Sequence, residues 1–334
     1  MEKIRPITPE DLEGIDEFNK FILEDYLTNS TELSPKTIKA YRSNLQIWFW
    51  WVKNNLRNKS ELDIKPLDFK RYQNWLVNRG CSSSDVSAKR ASISALNRYI
   101  EVYYSEEHPL FRNFVNASIP RPAKNMVHEK QPLTKEEYKH LVDELTRMEK
   151  WQQLAYLLFT FDTGCRRAES RQLLKDVVNA KPIERTRIEK LEDGTEVEHH
   201  VVMYMTHPIR CKGRGAAGKV RRLTFGDDAM QAIKKWLEVR GEDDCPYVFV
   251  TMYNGAYQQV SETAFNSWCD TLFSKIIGRE FHPHNIRHSR ATQAVVEDGM
   301  DPRAVQKLLG HENVATTEAS YIIRDESEDL DELF

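Results

Sequence analysis

His282-Pro283-His284-Asn285-Ile286-Arg287-His288-Ser289-Arg290-Ala291-Thr292-Gln293 is the stretch that decides how this chain is read, and Leu309-Gly310-His311 and Ala319-Ser320-Tyr321 follow it. Upstream stand Thr163-Gly164-Cys165-Arg166-Arg167-Ala168-Glu169 and Cys211-Lys212-Gly213. Together they supply an ordered set: Arg166, Lys212, His284, Arg287, His311 and Tyr321. Two arginines, a lysine, two histidines and a lone tyrosine can carry out phosphoryl transfer without a metal. The transition state of a phosphodiester spreads negative charge over its non-bridging oxygens, and planar, always-charged guanidinium forks suit it. Arg166 and Arg287 are the expected clamp.

Each residue also has a plainer reading. Arg166 and Glu169 lie i,i+3 and make an ordinary helix ion pair worth about 0.3 kcal/mol; Glu169 is taken as structural, holding an arginine in place. Lys219 is an alternative to Lys212. His282, His284 and His288 have no cysteine or carboxylate at ligand spacing, so no metal site is expected, and no cofactor.

The 334 residues are too many for one ordinary core and predict two domains. No run of 18 or more apolar residues suggests a membrane span, and Met1-Glu2-Lys3-Ile4-Arg5-Pro6 lacks the apolar core of a signal peptide. The five cysteines are scattered without C-x-x-C spacing, which points to a reducing, cytoplasmic setting.

The net charge of −3 is misleading, because charge is segregated. Residues 1–320 hold 47 basic against 45 acidic residues, and the acidic surplus sits in the last 14. Between His207 and Gly226, Arg210, Lys212, Arg214, Lys219, Arg221 and Arg222 meet no acid; between His108 and His128, Arg112, Arg121 and Lys124 meet none. Local patches set the field that a phosphate backbone feels, so these residues are candidate contacts to duplex DNA, although such runs are also solvated faces.

The fold class read from the chain is mostly α with a small antiparallel β-sheet. Thr8-Pro9-Glu10-Asp11 predicts a helix running to about Tyr26, and Ser34-Pro35 one from Lys36 to Asn54. Two more follow at about 66–78, closed by Gly80, and 84–104. Trp48, Phe49, Trp50 and Trp51 are either a helix-packing core or a base-stacking platform. Pro120, Pro122 and Pro132 mark residues 113–132 as a basic linker, separating a helical domain (1–112) from a second one (133–321) that opens on the capping box of Thr134 and Glu137. There, Asp193-Gly194 predicts a hairpin within 183–206, Lys219–Phe225 a returning strand, and helices follow at about 227–239, 261–277, 285–298 and 302–309. The tail, 322–334, is either a disordered acidic end or a segment whose apolar residues dock on a neighbouring protomer.

The motif order in residues 130–321 resembles the catalytic domain of tyrosine recombinases, the group of phage integrases, Xer-type resolvases and transposon integrases. The first domain is similar, by pattern and position, to their helical core-binding domain, a SAM-like bundle, and the second to their DNA breaking-rejoining fold. The resemblance implies a site-specific recombinase. Arg166 and Arg287 would hold the scissile phosphate, Lys212 would protonate the leaving 5′ oxygen, and His284 would exchange the proton of Tyr321. His311 would bond the phosphate, and Tyr321 would form a 3′-phosphotyrosyl bond. It also implies a homotetramer on two DNA sites, with accessory DNA-bending or directionality proteins, in a bacterial or phage-derived, nucleoid-associated setting. A type IB topoisomerase or telomere resolvase shares the chemistry, and a non-catalytic regulator or a metal-dependent nuclease are further alternatives. A first helix starting by residue 9 leaves no room for an additional arm-binding domain.

Three departures from the family pattern stand out. His311 to Tyr321 is ten residues where the family usually has nine; Arg167 and Ser170 replace apolar residues; and Arg166 to Lys212 spans 46 residues, the surplus falling in the predicted hairpin at 181–203. That ribbon is expected to reach DNA or a neighbouring subunit.

Overall fold

A computed structural model describes residues 4–116, 118–123, 131–190, 196–213, 218–297 and 299–309. His311, Tyr321, Arg214, Lys124, the 191–195 turn and the tail lie outside the described residues. The chain forms two compact units with the boundary between His128 and Glu129, and the segment Lys212–Gly218 is grouped with the first.

In the first unit the caps do most of the work. α1 (Glu17–Asn29) starts where Asp16 accepts the Asn19 N–H at 3.1 Å, and α2 (Pro35–Asn55) where Ser34 Oγ accepts the Thr37 N–H at 3.2 Å. The helix expected from Thr8 is only a 3-10 turn, Glu10–Leu12. Asp11 reaches back to the Thr8 N–H at 2.8 Å, and Gly14, at φ +67°, turns the chain before Asp16 restarts it. α3 (Pro66–Asn78) ends before Gly80 in left-handed conformation, and α4 (Ser83–Tyr103) completes the bundle.

Trp48, Phe49 and Trp51 are buried and belong to this core, where Trp48 meets the Tyr72 ring at 4.8 Å; Trp50 is half-buried. The packing reading of the cluster therefore holds. The expected linker is partly core as well. Phe114 and Ile119 are buried, Gln73 donates to the Pro120 carbonyl at 2.9 Å and Arg90 to that of Ile119 at 3.1 Å, so the chain stays on the bundle through Pro120.

In the second unit, α5 (Lys135–Arg147) carries the expected capping box: Glu137 N–H to Thr134 Oγ1, and Thr134 N–H to Glu137 Oε2, both 3.1 Å. α6 (Trp151–Thr163), buried along most of its length, is the central helix and was not anticipated. A one-turn helix, α7 (Arg167–Ser170), follows. β1 (Ile183–Lys190) and β2 (Glu196–Met205) form the long antiparallel ribbon, and β2 also pairs with β5 (Thr224–Gly226) to make a three-stranded sheet of order β1-β2-β5. The ribbon β3 (Ile209–Cys211) with β4 (Lys219–Arg221) interrupts it, so the single expected returning strand is split into β4 and β5 (Thr224–Gly226).

α8 (Asp227–Arg240) packs on α6. A hairpin of β6 (Val250–Tyr253) and β7 (Ala256–Gln259) turns through Asn254 and Gly255, both at positive φ. Asn254-Gly255 is the two-residue hairpin signal in the sequence here. The helix expected at 261–277 is α9 (Glu262–Ser267), a π segment (Trp268–Phe273) and α10 (Ser274–Ile277). α11 (Pro283–Thr292) and α12 (Pro302–Leu309) close the described chain.

Candidate functional site

The site begins with a backbone break. α6 ends at Gly164 in left-handed conformation, φ +56°, which frees the next residues from the helix and starts α7 immediately after Arg166. Arg166, a third exposed, stands at this N-cap, and its Nη1 donates to Glu169 Oε1 at 3.2 Å. Glu169 is 1% exposed, and its Oε2 also accepts the Arg166 backbone N–H at 3.3 Å. This is no surface ion pair: the carboxylate is buried under the turn and fixes the arginine from two sides. Of the two family departures here, Ser170 is buried beside Cys165 Sγ at 3.0 Å and Thr160 Oγ1 at 3.4 Å, while Arg167 donates to Asn266 Oδ1. Small polar partners replace the apolar packing.

Arg287, on α11, is 1% exposed and reaches the same turn. Its Nη1 donates to the Gly164 carbonyl and its Nη2 to the Leu309 carbonyl at 2.9 Å. One guanidinium thus joins the turn two residues before Arg166 to the end of α12, just short of His311. Gly164 is required twice: by its φ, and because a Cβ there would overlap Leu309 Cδ2.

His284 is exposed on the first turn of α11, behind Pro283 and ahead of Asn285, whose Oδ1 accepts the His282 N–H at 3.2 Å. The other two histidines of the motif have different surroundings: His282 contacts Asp270 at 2.7 Å, and His288 is buried against Thr292.

Lys212 follows directly on β3 and is exposed; Lys219 opens β4 opposite Cys211 and is exposed too. Arg221, opposite Ile209, turns inward. Its Nη2 donates to Glu169 Oε2 at 2.8 Å and its Nε to Cys211 Sγ at 3.2 Å. Burial works against its charge, yet the Glu169 carboxylate and Cys211 hold its pKa above the ordinary value. Arg222 donates to the Thr206 carbonyl at 3.2 Å, and the exposed Arg210 has its backbone N–H and C=O bound by the Gln172 amide at 3.0 and 2.9 Å. In the first unit, Arg112 donates to the Pro109 and Phe111 carbonyls, and Arg121 is exposed.

The sequence brought Arg166 and Arg287 forward as a pair with Glu169 as support, and the Arg287 guanidinium reaches the Gly164 carbonyl, two residues before Arg166. It offered nothing to single out Gln172, or Arg221 as the second partner of Glu169. Burial pushes the Cys165 thiol up to about 11 and raises that of Cys211, which disfavours the thiolate form of both.

Comparison with known proteins fits this geometry. Residues 131–328 match the family model described as "Phage integrase family", and residues 22–107 that of "Phage integrase, N-terminal SAM-like domain". The SPbeta prophage-derived recombinase-like protein YomM of Bacillus subtilis (strain 168) is 32% identical over 99% of this chain and 95% of its own length. A tyrosine recombinase XerC of Lacticaseibacillus casei (strain BL23) is 24% identical over 88% of this chain and 90% of its own. Among solved structures, the Tn1549 transposon integrase in complex with transposon right end DNA aligns over 95% of this chain and 98% of its own (TM-score 0.66, 15% identity). XerH site-specific recombinase, in a post-cleavage complex with palindromic difH substrate, aligns over 99% and 97% (TM-score 0.64, 15% identity).

Proposed function

The chain belongs to the phage integrase family, and from that premise we propose that it is a site-specific DNA recombinase that cuts and rejoins duplex DNA through a covalent 3′-phosphotyrosyl bond to Tyr321. Arg166 and Arg287 clamp the scissile phosphate. His284, at the positive end of the α11 dipole, sits where an anion is favoured and serves the proton of Tyr321. Lys212 supplies a proton to the leaving 5′ oxygen, and His311 bonds the phosphate. Trading one phosphodiester for another conserves the bond energy, so no nucleotide is consumed.

The observation that carries this reading is the Arg287 bond to the Gly164 carbonyl, which draws arginine motifs 121 positions apart in sequence to one turn. The first unit is assigned to the duplex flanking the cut through Arg121 and Lys124, and Arg210, Arg214 and Lys219, close to Lys212 in sequence, are assigned to further phosphates; such contacts position the enzyme without specifying sequence. Two protomers on each of two sites, joined through the tail, complete the working assembly in a bacterial cytoplasm. Among the described residues no helix is long and apolar enough to cross a membrane. Likeness to a prophage-derived protein favours a mobile-element origin.

The test is a duplex nicked near the cut, so that the cleaved end diffuses away. Wild-type protein is expected to become attached to the 3′ end, in chelator as well as without it, and Tyr321→Phe to remain unattached. Attachment by Tyr321→Phe would defeat the assignment. Relaxation of supercoils without joining of two target sites would move the chain to the topoisomerase class.

A further inference from the structure

We propose that Arg221, aided by Gln172, is a positioning residue that locks the strand preceding Lys212 onto the turn that carries Arg166. The proposal rests on the roles given above to those two residues. β3 is three residues long and among the described residues pairs with the equally short β4 alone, and an isolated two-stranded ribbon is marginal in water. It therefore needs an anchor, and two side chains provide one.

Gln172, just after α7, behaves as a neighbouring strand: its Oε1 accepts the Arg210 N–H at 3.0 Å and its Nε2 donates to the Arg210 carbonyl at 2.9 Å. Arg221 does the rest. Its guanidinium holds Cys211, the residue before Lys212, through Sγ at 3.2 Å, and Glu169 Oε2 at 2.8 Å, while Oε1 of the same carboxylate holds Arg166. The buried Glu169 is thus shared by the arginine that binds phosphate and the arginine that anchors the ribbon. A forked cation suits this task, since a lysine offers no second donor in a fixed plane.

In the cleavage step the Tyr321 oxygen forms the new P–O bond and loses its proton to the His284 side. The P–O5′ bond breaks, and O5′ takes a proton from the Lys212 ammonium. Moving the ribbon damages the last of these, so the defect should depend on the leaving group. Replacing the bridging O5′ by sulfur makes a leaving thiolate that needs no proton.

Covalent attachment is measured with the nicked duplex in both forms, for wild type, Arg221→Gln, Arg221→Lys and Gln172→Ala, with thermal melting alongside. On the ordinary duplex Arg221→Gln is expected to slow attachment roughly 100-fold, the cost of a misplacement of about 1 Å; on the sulfur-bridged duplex it should run near the wild-type rate. Arg221→Lys and Gln172→Ala should show the same selective defect in milder form, and they carry the comparison should Arg221→Gln fail to fold. A wild-type rate for Arg221→Gln on the ordinary duplex overturns the proposal, as does an equal loss on both duplexes in folded variants, which would place its effect on Arg166 alone. If wild type attaches to neither duplex, the reading of Tyr321 itself has failed.

Discussion

Among the described residues each unit buries one glutamate completely, and the two are handled in opposite ways. Glu61, in the first unit, is 0% exposed and has Trp48 Nε1 at 2.8 Å on one oxygen. Burial pushes its pKa up to about 8, only partly offset by that indole N–H, so it is neutral in the folded bundle at pH 7. Glu169, in the second unit, is 1% exposed and set between the guanidiniums of Arg166 and Arg221. A carboxyl that needs only to fill space and accept one hydrogen bond serves a core. A carboxylate that must orient two cations serves a site, and the protein meets its desolvation with ion pairs.

Breaking the second arrangement should cost most. Glu169→Gln leaves two half-buried guanidiniums sharing a neutral amide; stability is expected to fall by about 3–5 kcal/mol in urea titration, and covalent attachment to nicked DNA to be lost. Unchanged attachment would show that the carboxylate does not orient Arg166.

The first arrangement predicts a pH effect. Glu61 titrates near 4.5 when unfolded and about 8 when folded, so the unfolded chain releases its proton first. Its stabilising contribution is complete below pH 4.5 and lost as pH rises through 8, a swing of up to about 5 kcal/mol. Subtracting the urea-derived stability of Glu61→Gln from that of wild type across pH 4–9 isolates the effect. A flat difference would mean that Glu61 is not buried in solution.

A smaller effect is expected for Gly164→Ala, which strains a φ of +56° and presses a methyl on Leu309; the loss should be about 1–3 kcal/mol, with attachment falling further than melting predicts because Arg287 is held by the same turn. The smallest concerns Glu61→Gln at pH 4, where the Glu61 carboxyl is largely protonated in folded and unfolded chain alike. The amide can still accept the Trp48 indole N–H, and calorimetry should find it within about 1 kcal/mol of wild type.

Local signals explain what could be read in advance. Ser34-Pro35 and the Thr134–Glu137 box fix helix starts through bonds within four residues, so α2 and α5 fall where the pattern puts them. Thr8-Pro9 misled because Gly14, at φ +67°, breaks the chain after one turn even though Asp11 bonds back to Thr8 as a first-turn acid should. α6 escaped notice because a helix buried nearly all round has no polar stripe to mark its period. Phe114 and Ile119 look like linker residues until the core that receives them exists.

The ordered motifs Arg166, Lys212, His284, Arg287, His311 and Tyr321 determined the family and the type of chemistry, because that chemistry dictates residue types and the chain records them directly. Only the folded protein decided that Glu169 is shared between two arginines, that Gln172 completes the edge of β3, and that Arg287 joins Gly164 to Leu309. Those bonds link residues as far apart as 123 positions, and no local propensity encodes a contact whose partners meet only after the core between them has formed.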